Sequence, residues 1–412
     1  MIRTYKTVES VCGPLLRARE LYGVRCGEVG EVLLPNGESR PCRVLEIEGG
    51  AALVEVLGGT DGICPADARV RFCGRGFELP VSVNMLGRVL DGMGRPMDGG
   101  CPIPADKTLL IDGSPCNPLT HLAPSGAIEI DGTPLTRGSV LPMFVKNPIG
   151  HARLAVELAA RASAENAPDG LAIVVAAVGL PFAEAESVLT SLRKSGTIDR
   201  AVLFINLDTD PVAERTQTPL LAMSTAEYLA FDCGMQVLLV IDDLINYADA
   251  LRERSAARGE RGGEDGYPTD LYNHLATLFA RAGLRRDSEG SLTLLPVLTL
   301  PEISPTHPVC ELVRTLSDTP LPPALWQTAP EAVATACEET PDTTPAEETP
   351  VCEEVAEEPP VCEATPDEAS ADDEAPEETP VYEETTAELP DDEATVENPA
   401  EAALPEEAAD AE

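Results

Sequence analysis

Basic residues are scarce in this sequence. Its 412 residues carry 29 Lys and Arg against 71 Asp and Glu, a formal net charge of −42. From Glu331 to Glu412 there are 30 acids and no Lys or Arg, so residues 1–330 hold 41 acids and all 29 bases, a balance of −12. A surface of that sign repels nucleic-acid phosphates, which argues against nucleic acid as a partner. Long apolar runs are lacking too: no stretch approaches the ~18 apolar residues of a membrane-spanning helix, and MIRTYKTVES has no apolar leader core. A cytoplasmic protein that meets a membrane only through other proteins is expected. The twelve cysteines, from Cys12 to Cys362, include no CxxC pair and no Cys/His cluster of zinc spacing. That argues against a metal site and against a disulfide framework.

What is present divides the chain into parts. Between Val8 and Phe77, short Val- and Leu-rich runs alternate with turn signals such as Pro35-Asn36-Gly37 and Gly58-Gly59-Thr60-Asp61-Gly62. This spacing predicts a small β-barrel over residues 1–77. Over residues 78–310 helical and strand patterns alternate. A helix from His151 places Leu154, Leu158 and Ala162 on one face, and Leu171–Gly179 is an apolar strand. The next helix aligns Phe182, Ala185, Val188, Leu189 and Leu192, and the strand Ala201–Asp208 follows it. A helix opened by Ser224 with Glu227 as a capping box comes next. After it come the strand Gln236–Leu244, a helix from Ile245, a helix over Thr269–Gly283, and the strand from Ser291. Continuous apolar strands separated by helices predict an α/β domain with a parallel sheet covered on both faces.

Residues 311–330 read as a linker. Residues 331–412 are Glu-, Ala-, Thr- and Pro-rich, with a loose repeat (EETPVCEE, EEPPVCEA, EETPVYEE) starting at Glu347, Glu357 and Glu377. Such composition buries too little apolar surface to offset ordering entropy, so a disordered tail is expected there. Its repeats are either a solvated spacer or a motif for a basic partner.

Several blocks stand in one order: LGRVLDGMGRPMDGG at Leu86–Gly100, TAEYLAFDCG at Thr225–Gly234, YADALRE at Tyr247–Glu253, SAAR at Ser255–Arg258, and THP at Thr306–Pro308. On these, the chain resembles the non-catalytic B subunit of V-type/A-type rotary ATPases from about Thr7 to about Asp318. The resemblance implies a β-barrel followed by a RecA-like domain. It also implies a place in a ring with A-type catalytic subunits, served by stalk subunits and coupled to proton or sodium transport.

A working phosphate-binding loop needs GxxxxGK[ST], in which backbone N–H groups and a Lys hold phosphates and a hydroxyl holds magnesium. Here the loop reads VKNPIGHARLA, Val145–Ala155, with Gly150, His151 and Ala152 at the GK[ST] positions. Lys146 and Asn147 precede Pro148, which removes an N–H donor. Lys146 reads either as an anion contact or as a solvated lysine. No cofactor is required by this reading, and the loop puts ATP or ADP binding in doubt. Asp242-Asp243 ends an apolar strand, either as a magnesium-organising pair or with a helix N-cap role. His274 and His307 read as structural. The resemblance places Tyr247, Arg252, Arg258 and Tyr267 near subunit contacts, with surface solvation as the alternative. The match fades near Asp318, before the segment that in such subunits donates an arginine to the neighbouring catalytic site. An arginine of this kind is worth roughly 10³–10⁵ in rate, so a neighbouring catalytic subunit is expected to be severely handicapped at that site; with the loop lysine and hydroxyl lacking as well, no catalysis is expected from this chain. The other function open to the sequence is a scaffold that binds basic partners through the acidic tail.

Overall fold

The computed structural model describes residues 2–113, 119–146, 149–164, 167, 171–300 and 307–325. Seven strands come first: β1 (Arg3–Tyr5), β2 (Val8–Cys12), β3 (Leu15–Ala18), β4 (Val29–Leu33), β5 (Ser39–Glu48), β6 (Ala51–Val56) and β7 (Arg69–Phe72). They form one antiparallel sheet in the order β1-β7-β4-β5-β6-β3-β2. Among the described residues no pairing joins β1 to β2, so the ladder runs edge to edge. Alternate residues point inward and bury Leu16, Val32, Val44, Val54, Val70 and Phe72.

The region beyond contains β8 (Glu78–Val81), β9 (Val89–Asp91), β10 (Lys107–Leu110), β11 (His121–Leu122), β12 (Ala127–Ile130), β13 (Thr133–Thr136) and β14 (Met143–Val145). Helix α1 (His151–Arg161) is followed by β15 (Ala162–Ala164), β16 (Ala172–Leu180), α2 (Phe182–Ser195), β17 (Ala201–Leu207), α3 (Val212–Glu227), β18 (Gln236–Asp242) and α4 (Leu244–Ala257). The described chain closes with α5 (Leu271–Phe279), β19 (Gly283–Arg285), β20 (Ser291–Thr299) and α6 (Pro308–Leu316). The main sheet runs β11-β19-β20-β18-β16-β17-β9, with β14 added parallel to β20. Its centre, from β9 to β20, is parallel.

Along β16 the side chains alternate between two cores. Ile173, Val175 and Ala177 pack with α1 and α2, whereas Val174, Ala176 and Val178 pack with α3, α4, α5 and α6. A strand covered on both faces must be apolar at every position, which is why AIVVAAVGL is legible as a central parallel strand. The LGRVLDGMGRPMDGG block builds an edge of this sheet: β9 pairs with β17, and Asp91 Oδ1 accepts from the Met93 and Arg95 amides.

Four local expectations are corrected. Ser224 does not open a helix. It lies inside α3, buried, and its hydroxyl donates to the Ile111 carbonyl at 3.2 Å. Pro219 sits within the same helix; a proline there costs about 3 kcal/mol, and burial of the neighbouring Leu221, Ala222, Met223 and Ala226 keeps the helix continuous. Phe182 is 67% exposed at the start of α2. In α1 the buried face is Ala152, Ala155, Val156, Leu158 and Ala159, with Leu154 half-buried and Ala162 already in β15. The helix expected over Thr269–Gly283 is the shorter α5, because Arg281 and Ala282 turn inward toward the sheet edge.

Within residues 311–330, α6 runs to Leu316, and Leu321 and Leu325 are buried against the α1–α2 side. Residues 326–330 and the acidic segment 331–412 lie outside the described residues. So do Asn147, Pro148 and Thr306.

Candidate functional site

The site lies where α1, α2 and α4 begin, at the C-terminal ends of the parallel strands, the edge at which doubly wound sheets collect ligands. Lys146 is exposed beyond β14. Gly150 is the residue before α1, at φ 74°, a left-handed conformation glycine adopts without strain. Its N–H points at a carboxylate of the same chain: Glu184 Oε1 accepts it at 3.4 Å. Glu184 stands in the first turn of α2.

His151, the first residue of α1, is buried with Ala152 beside it. Its Nε2 lies 3.2 Å from Asp242 Oδ2, and its Nδ1 3.9 Å from Glu184 Oε2. The imidazole thus stands between two carboxylates. The Asp242 contact has the distance of an ion pair without hydrogen-bond alignment. Asp242 is 1% exposed, and burial raises its pKa while His151 pulls it back down.

Asp243 does different work. Its Oδ1 accepts from the Ile245 amide at 2.9 Å, which caps α4, and from the Thr299 amide at 3.3 Å. Burial first, and the Asp242 charge second, push its carboxyl up to about 7. An unfolded aspartate ionises near 3.9. Asp243 therefore holds its proton in the folded chain after losing it in the unfolded one, and stability falls as pH rises from about 4 to about 7. Asp243→Asn keeps a capping oxygen and removes that loss. It should melt above wild type at pH 8 and level with it at pH 4; Asp243→Ala, which loses the ionising group and the cap together, should lie about 1 kcal/mol below Asp243→Asn at either pH.

The other singled-out residues disperse. Tyr247 is 2% exposed within the core and so offers no surface; burial pushes its hydroxyl up to about 12. Tyr267 is buried, donating to Asp249 at 2.9 Å under the Arg252 guanidinium, 5.0 Å from the ring centre. Arg252 itself is exposed enough to meet a partner and pairs with Asp249 at 3.1 Å. Arg258 joins α4 to the N-terminal sheet, with Nη2 3.0 Å from Glu46 Oε2. His274 meets Asp270 at 3.3 Å, and His307 packs its ring edge-on to Tyr267. Glu184 escaped the sequence reading. Its signal there, an acid in the first turn of a helix, is a common one, and the approach of α2 to α1 is not visible in the chain.

Chemically, this arrangement has imidazole and two carboxylates where a phosphate-binding loop has ammonium and hydroxyl. Like charges 4 Å apart repel by about 4 kcal/mol at an effective dielectric of 20. A phosphate brought to the Gly150 N–H meets repulsion of that order from the Glu184 carboxylate that already holds it. Among the described residues no group of three His, Cys, Asp or Glu side chains is placed to hold a metal ion.

A parallel sheet, a helix entering it at Gly150, and acids at the neighbouring strand end make this an α/β domain with its candidate site at the C-terminal edge of the sheet. Residues 126–321 match the ATP synthase alpha/beta family, nucleotide-binding domain. This supports an F/V/A-type ATPase alpha/beta-family protein, and the family implies assembly with other subunits in a rotary complex. Among the described residues no helix is long and apolar enough to cross a membrane.

Proposed function

We propose that the protein is a non-catalytic, B-type subunit of a V/A-type rotary ATPase. Its α/β unit is read as RecA-like and its N-terminal sheet as the counterpart of that family's barrel. In this role it stands beside an A-type catalytic subunit and stalk subunits, in a complex that couples ATP synthesis or hydrolysis to proton or sodium transport. It neither hydrolyses ATP nor requires a cofactor. The observation that carries the reading is the engagement of the Gly150 N–H by Glu184, with His151 between two acids. The place of a phosphate is taken by the chain itself.

Titration calorimetry with magnesium-ATP should give no saturable heat up to about 1 mM, a concentration at which even a weak site of ~4 kcal/mol begins to fill. Purification of the tagged protein from its own cells at low ionic strength should retain A-type and stalk subunits. Tight ATP binding, or recovery of the chain free of any A-type partner, would sink the proposal. The 30 acids beyond residue 330 favour one alternative, a scaffold that holds basic partners through the tail. Deletion of residues 331–412 should then change the recovered partners; if they are unchanged, that alternative is removed.

A further inference from the structure

Glu55 lies near the end of β6, paired in register with Leu15 on β3 and Arg43 on β5. Its neighbours Val54 and Val56 point into the core of the N-terminal sheet, so Glu55 points out of the other face. That face is covered: Glu55 is 0% exposed, and neither carboxylate oxygen has a hydrogen-bond partner among the described residues. What covers it is the α/β unit, which reaches the sheet through Arg258 to Glu46 and through Arg43 to Asp112 and Gln217.

The cations near Glu55 make their hydrogen bonds elsewhere, and Arg43 Nε, though buried, has no partner among the described residues. Arg43, on β5, has Nη2 2.6 Å from Asp112 and Nη1 3.4 Å from Gln217 Oε1. Arg258, at the end of α4, is shared between Glu46 and Glu260. Arg254, also on α4, lies 3.3 Å from His274 on α5, which in turn contacts Asp270. Tyr247, the fourth polar group facing this space, is buried in α4. A buried carboxylate with no donor aimed at it is costly when ionised and much less so when protonated.

We propose that Glu55 is a proton-controlled latch between the N-terminal sheet and α4: protonated, it lets the seam close dry; ionised, it favours opening of the seam. Burial raises its pKa, with Arg254, Arg43 and Arg258 pulling it back down in that order. When the seam opens, Glu55 meets water and returns toward the ordinary glutamate value of about 4.3. The opening equilibrium must then grow with pH, by up to tenfold per unit, from that value until the closed-state carboxyl also ionises. The device makes the attachment of the sheet tighter in acid and looser toward neutrality.

The test is hydrogen exchange at the amides of β6 and α4 in the full chain, corrected for intrinsic rates, between about pH 5 and about pH 8. Opening constants should climb with pH in wild type and climb less steeply in Glu55→Gln, where other groups such as Asp243 at the start of α4 still contribute. Arg254→Gln removes the largest pull on Glu55 and should extend the climb to higher pH. An equally steep climb in Glu55→Gln, a flat wild type, or an Arg254→Gln profile identical to wild type would each overturn the latch.

Discussion

Arg281→Ala is expected to lower the stability of the folded chain by about 3–5 kcal/mol, the cost of leaving one member of a buried ion pair alone. Arg281 is 4% exposed and holds Glu227 at two points, Nη2 at 2.7 Å and Nε at 3.1 Å. It also donates to the Ser224 hydroxyl at 2.8 Å and to the Ile111 carbonyl at 3.1 Å. One guanidinium thus ties α3 to the start of β19 and to the segment after β10. With more than 300 described residues each kcal/mol moves the midpoint by about 1.5 °C, so a drop of about 4–7 °C in a thermal melt is the expected reading. Arg281→Ala combined with Glu227→Leu should recover part of the loss, because no uncompensated charge then remains. A single variant that melts within a degree or two of wild type would show the pair to be dispensable.

Glu184→Gln is the second large effect. It removes the negative charge that meets the Gly150 N–H at the start of α1 and leaves an amide of the same shape. Relief of about 4 kcal/mol at close range corresponds to roughly a thousandfold in anion affinity. Inorganic pyrophosphate, unbound by wild type at millimolar concentrations, should then be retained weakly. The gain stops short of nucleotide binding because His151 and Ala152 still stand for the lysine and the hydroxyl. Pyrophosphate binding equal in wild type and variant would mean that Glu184 does not govern the site.

Legibility in the sequence followed the kind of force at work. β16, β17 and β18 were placed to within one or two residues, because a strand buried on both faces leaves no polar position to mislead. The start of α3 was not legible: Ser224 with Glu227 three residues on has the form of a capping box, yet the helix begins at Val212 and Ser224 is buried inside it. The loop and the strand-end acids were found from their places beside apolar runs. That Asp243 caps α4 while Asp242 faces His151 follows from the chain direction at one point in space, which no spacing encodes. Tyr247, singled out as a contact, turned out to be interior, because a tyrosine on a helix covered on two sides looks the same in sequence as one on a surface. Glu55 carried no signal at all: an acid in a strand reads as solvent-facing until a second unit lies over it.

The carboxylate that meets the Gly150 N–H has a consequence for how the protein lives in a cell. Proteins that leave a helix start open for a ligand gain stability only when that ligand is present, by an amount set by its concentration over its dissociation constant. Here the counter-anion is covalently part of the chain, supplied by the next helix. On the proposed reading, folding is uncoupled from the nucleotide pool: newly made chains should mature alike in starved and in well-fed cells, with a lifetime that carries no information about energy charge.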